Sequence, residues 1–244
     1  MVERQKKMPV TTLILSVVFD DFRETGIRPT LIEAFNEKTV SFRLNKTEIG
    51  RRMMSNQGDH DAADNDLAAL DDTFQEWSEK YLNAKLEKFW KIWEQRPTFR
   101  GNFLGNLYLF RNWVFGITPS SSRRMMPGRY IMNMDALKAT VKSANEQGIK
   151  VILYIVPLRN DTKVPYDLEQ YGKFKSEIKL ISQRYKAKFV NFESLVPANL
   201  WGAKNPTTLG NEQELDFMHF QAGGHELLAQ ALYEELIMIG EDSK

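Results

Sequence analysis

The stretch ELDFMHFQAGGHELLAQAL, residues 214–232, holds the side chains best suited to chemistry. Asp216 stands three residues before His219, at the point where a new amphipathic pattern begins. A carboxylate that reaches an imidazole Nδ1–H fixes the tautomer and stabilises the imidazolium. Nε2 is then free to take a proton from a hydroxyl. The same spacing serves a plainer purpose if Asp216 caps the last helix and His219 packs beside it. Spacing alone leaves both uses open.

A base needs something to activate, and the chain offers few candidates. It contains no cysteine, which excludes thiol catalysis and disulfides. Ser16 falls inside an apolar run, and Ser194 ends another. Ser120, Ser121 and Ser122 sit in TPSSSRRMMPGR (118–129), a Ser/Pro/Gly segment read as a flexible connection with no Gly-x-Ser-x-Gly elbow around it. None has the sharp-turn setting that a nucleophilic serine requires. His60 lies between Asp59 and Asp61, but no second histidine or defined ligand spacing accompanies it, so residues 55–66 read as a solvated loop and no metal is expected. No Gly-rich phosphate loop follows any strand, which leaves a nucleotide-binding domain without support and no cofactor implied.

The elements around the pair give it a setting. LILSVVF (13–19) is a continuous apolar run, broken only by Ser16, of the kind that forms a strand buried on both faces; VILYIVP (151–157) is a fully apolar one, and KFVNFES (188–194) reads as a third strand. Between them, Asp135 to Gln147 reads as a helix closed by Gly148, and YDLEQYGKFKSEIKLISQRY (166–185) as an amphipathic helix. A loop rich in Asn, Gly and Pro leads to Asp216, and a last helix carries Leu227, Leu228, Leu232, Leu236 and Ile237 on one side. This order calls for an α/β fold: a parallel sheet flanked by helices, with active groups gathered at the carboxyl ends of the strands. Nearer the start, PTLIEAFNE suggests a short helix and TVSFRL (39–44) a short strand or extended loop. VERQKKMP at the front reads like the tail of a helix followed by a proline stop.

Residues 66–117 interrupt the α/β pattern. Leu67, Leu70, Phe74, Trp77, Tyr81, Phe89 and Trp93 recur at helical spacing, and FLGNLYLFRNWVFGI (103–117) is apolar almost all round. Together they read as an inserted helical hairpin with an aromatic face. It either packs against the sheet or offers a surface to a membrane interface or a partner protein. With 33 basic and 32 acidic residues the net charge is +1, so nothing in the charge balance argues for nucleic acid. No run approaches the roughly 20 apolar residues of a spanning helix. The apolar run after the basic start is short, β-branched and followed by Asp20-Asp21, so it reads as a strand and not as a secretion signal.

The block D-F-M-H-F-Q-A-G-G-H-E-L-L-A-Q-A-L resembles the closing block of the SGNH/GDSL hydrolase superfamily, where Asp-x-x-His precedes a Gly and a Leu/Ala-rich final helix. VILYIVPLRN and KFVNFES are similar to the last two strands of that fold. The nearest likeness is to envelope-type members: alginate O-acetyltransferase-like proteins, D-alanyl-lipoteichoic acid biosynthesis proteins and a spirochaete family of unknown function. The resemblance implies a three-layer flavodoxin-like domain, with His219 as general base and Asp216 as its orienting carboxylate. It implies a serine esterase or O-acyltransferase acting on a carbohydrate or other small hydroxylated ester, in the bacterial cell envelope or periplasm. The Gly-Asp-Ser block is not found: VVFDDFRETG (17–26) mimics it only superficially, with Phe22 at the serine position. If LILSVVFDD matches the family's third strand, Asp20 stands where the oxyanion Asn normally does. The expectation is therefore one partial SGNH-like domain over residues 1–244, its front missing, inactive as it stands. The alternative is a non-catalytic SGNH-like protein that binds an envelope partner or a membrane surface through the hairpin.

Overall fold

The computed structural model describes residues 10–23, 37–46, 48, 50–51, 109, 112, 121–204 and 214–241. The expected hairpin of residues 66–117 lies outside them apart from Leu109 and Asn112, as do PTLIEAFNE before Glu37, the loop holding His60, and Ser120. The chain divides into two compact units. Residues 1–71, 124–156 and 167–192 make the first, and residues 72–123, 157–166 and 193–244 the second.

The first unit is a mixed α/β arrangement around a three-stranded parallel sheet. β1 (Thr12–Val17), β2 (Lys150–Ile155) and β3 (Lys188–Asn191) lie side by side in that order. Leu13 pairs with Val151, and Leu153 pairs in turn with Phe189. The central strand reads as an unbroken apolar run because every residue from Val151 to Ile155 is buried. Each of the three strands stops two or three residues before the end of the segment read from sequence, at Val17, Ile155 and Asn191.

α1 (Lys38–Leu44) corrects the expectation for TVSFRL. It is helical, with local bonds from the Ser41 amide to the Glu37 carbonyl and from the Asn45 amide to the Ser41 carbonyl. A short β-branched segment follows whichever backbone partners are nearest, and here they are its own turns. α2 (Pro127–Glu146) begins two turns before the expected start, so the end of the supposed flexible segment is the first turn of a helix. Pro127 occupies the first helical position, where its missing N–H costs nothing and its fixed φ suits the helix. The helix ends as read: Gly148 takes φ 70°, and the Ile149 amide returns to the Ala144 carbonyl. α3 (Leu168–Arg184) is capped by Asp167, whose side chain accepts from the Gln170 amide.

Two crossovers in one direction put both helices on one face of the sheet, given their right-handed preference. The bond from Tyr130 Oη on α2 to Glu177 on α3, 2.7 Å, agrees with that placement. Phe19 and Phe22, on the turn after β1, meet Phe174 edge-on at 5.3 and 5.1 Å between ring centres. Arg129 donates to the Arg23 carbonyl and Asn133 to the Asp21 carbonyl, tying α2 to the same turn.

The second unit contains a 3₁₀ turn (Ala198–Leu200), β4 (Trp201–Lys204), β5 (Glu214–Phe220) and α4 (Ala222–Glu241). β4 and β5 pair antiparallel as a two-stranded sheet. Asp216 and His219 were expected in a loop and instead lie on a strand. Their stretch carries Leu215, Phe217, Met218 and Phe220, a content of aromatic and apolar residues that favours pairing once a partner strand is present. Among the described residues no helix is long and apolar enough to cross a membrane.

Candidate functional site

The pair is made by an irregularity in β5. Trp201 pairs with Phe220 and Ala203 with Leu215, so one β4 residue, Gly202, faces four on β5, Asp216 to His219. In a regular strand, residues three apart point to opposite faces and stand about 10 Å apart. Here the extra residues fold into a bulge that brings both ends together. Asp216 Oδ1 accepts from the His219 amide at 3.0 Å, and Oδ2 lies 2.9 Å from His219 Nδ1. One carboxylate therefore closes the bulge and orients the ring.

Burial differs sharply across this bond. The Asp216 side chain is 10% exposed and that of His219 83%. A buried acceptor fixes the imidazole through Nδ1, while the exposed ring leaves Nε2 able to meet a hydroxyl from solvent or substrate. The plainer reading does not hold: Asp216 lies on β5 and does not cap the last helix, which starts at Ala222, and the His219 ring is exposed rather than packed. The geometry suits proton transfer at Nε2, with Asp216 set to stabilise the imidazolium.

Gln221 and Arg159 hold the chain opposite this bulge. Gln221, just past β5, donates its amide to the Leu200 carbonyl at 2.7 Å and its side chain to that of Trp201 at 3.4 Å. Arg159 donates Nη1 to the Gly202 carbonyl at 2.9 Å. Its Nε and Nη2 grip both oxygens of Asp161, at 2.7 and 3.0 Å. That fork holds the Asp161 carboxyl below its usual range, the Arg159 hydrogen bond being the main cause. Beneath, Trp201 packs edge-on against Phe220 at 5.4 Å and donates Nε1 to the Val196 carbonyl. Arg159, Asp161, Gly202 and Gln221 were not picked out from sequence. The available signal was the Arg-x-Asp in PLRND, two residues after the apolar run.

Of the candidate serines, Ser120 lies outside the described residues. Ser16 is on β1 and hydrogen-bonds with the phenol of Tyr154, whose pKa burial pushes up. Ser194 is exposed in a turn, and neither it, Ser121 nor Ser122 is hydrogen-bonded to His219. Asp20 bonds to Arg23 at 3.1 Å in a 3₁₀ turn (Asp20–Arg23), and Phe22 is part of the core. Among the described residues, no group of three or more His, Asp or Glu side chains is placed to hold a metal ion. No family model, no curated protein and no solved structure matches this chain.

Proposed function

We propose that Asp216 and His219 are the carboxylate and general base of an acyl-transfer site of the SGNH/GDSL type, in an acyl-ester hydrolase or O-acyltransferase acting on a hydroxylated, carbohydrate-class substrate. The observation that carries the reading is the 2.9 Å Nδ1···Oδ2 contact between a buried carboxylate and an exposed ring. In the reaction, Nε2 takes the proton of a hydroxyl as its oxygen bonds to the acyl carbon. The resulting imidazolium, stabilised by Asp216, returns that proton to the departing alkoxide oxygen. The SGNH reading places this hydroxyl on a serine beyond the described residues, since a His–Asp pair alone can orient water but forms no acyl-enzyme.

The test is acetate release from p-nitrophenyl acetate and from an O-acetylated oligosaccharide. Protein from its native source is expected to turn over, and His219→Ala should cost about 10²–10⁴ in kcat. No turnover by the native-source protein, or turnover untouched by His219→Ala, would sink the reading. The alternative of a binding protein rests on residues 66–117, and no described residue favours it.

A further inference from the structure

Arg159 is buried at 8% exposure, and its charge needs a reason to be there. Three of its N–H donors are committed, two to Asp161 and one to the Gly202 carbonyl, so it is spoken for by the protein itself. Gly202 is the one β4 residue opposite the four-residue bulge, where ladder pairing lapses between Trp201 and Ala203. An antiparallel pair that loses its register at one point can slip, and a slip here would carry Asp216 and His219 apart. The carbonyls of Leu200 and Trp201, just before that point, are held by Gln221. The carbonyl at the lapse is held by the guanidinium, and the guanidinium is aimed by Asp161.

We propose that Arg159, oriented by Asp161, is the positioning residue of the Asp216–His219 pair: by holding the Gly202 carbonyl it fixes the β4 side of the bulge, and with it the hydrogen bonds from Asp216 to the His219 amide and ring. Its functional meaning rests on the acyl-transfer reading, but its test does not. The guanidinium does not touch the imidazole, so its effect must travel through backbone. Lysine can supply one donor to the carbonyl but cannot also fork onto Asp161, so it should restore the arrangement only in part.

The experiment is NMR on the full chain, comparing wild type with Arg159→Ala, Arg159→Lys and Asp161→Asn. Two readouts are local: amide exchange at His219, which reports the bond to Asp216 Oδ1, and the ring 15N shifts, which report whether the proton sits on Nδ1. Amides of Leu228 and Leu232 on α4 serve as the reference for general loosening. Arg159→Ala should speed His219 exchange roughly tenfold relative to those amides and reduce the Nδ1–H tautomer, with Arg159→Lys between it and wild type. If Arg159→Ala does not fold, Asp161→Asn decides, with a smaller shift in the same direction. Unchanged His219 signals, or exchange that rises only in step with α4, would overturn the proposal. Failure of the esterase assay would leave these readouts intact, so the two ideas can fail separately.

Discussion

Adding one methyl group at Gly224 should loosen the seat of α4 beside the pair. A Cβ there would stand 2.8 Å from Phe220 Cδ2, 3.0 Å from Phe220 Cβ and 3.0 Å from Val196 Cγ1. Such contacts require a neighbour to move. Val196 is fully buried, and the Phe220 ring is flanked by Trp201 at 5.4 Å and His225 at 4.4 Å. Overpacking of this kind costs about 1–3 kcal/mol. Alanine regains at most about 1 kcal/mol over glycine in a helix, and less in a first turn. Gly224→Ala should therefore destabilise by about 1–2 kcal/mol, which lowers Tm by about 2–8 °C in a chain of this size. Gly172 on α3 is the internal control, because nothing lies within 4 Å of a Cβ built there. Gly172→Ala should stabilise by about 0.5–1 kcal/mol. Urea titrations followed by circular dichroism would measure both. A Gly224→Ala protein as stable as wild type, with Gly172→Ala behaving as expected, would refute the close seating of α4 on Phe220 and Val196.

The two halves of the pair should separate stability from activity. His219→Ala removes an exposed ring and should change unfolding free energy by less than about 0.5 kcal/mol. Asp216→Ala removes a buried carboxylate that accepts from both the His219 amide and ring, and should cost about 1–3 kcal/mol by the same titration. Equal effects on stability would contradict the burial contrast. Tyr130 predicts an alkaline effect: burial and then Glu177 raise its pKa above the ordinary 10.0. Its contribution is complete below pH 10 and declines as pH rises above it. Tyr130→Phe should lower stability at neutral pH by about 1 kcal/mol and flatten that decline, as unfolding titrations between pH 8 and 11 would show.

What could be read from sequence follows from how local each determinant is. β2 declares itself because burial on both faces leaves only apolar residues, and Gly148 because one backbone position needs φ 70°. Asp216 and His219 are legible as a pair in contact because a carboxylate–imidazole hydrogen bond depends on residue type and short spacing. The start of α2 was hidden because Pro127 reads as a breaker unless the turn it opens is known. TVSFRL has β-branched and aromatic members, yet its backbone partners lie within its own turns. Arg159 and Asp161 were illegible as site residues because their significance lies at Gly202, 43 positions beyond Arg159.

The bulge resolves a conflict that a regular element could not. A general base needs an accessible Nε2, while its orienting carboxylate works best away from water. A helix would put residues three apart on the same face, giving both similar exposure. A regular strand would put them on opposite faces and out of reach. Four residues set against one let the chain turn between the two, so Asp216 points inward, His219 points outward, and their side chains still meet. That arrangement costs a lapse in the ladder at Gly202, and a lapse is stable only if its unpaired backbone finds another partner. Arg159 is that partner: its buried guanidinium donates to the Gly202 carbonyl on the β4 side of the Asp216–His219 contact.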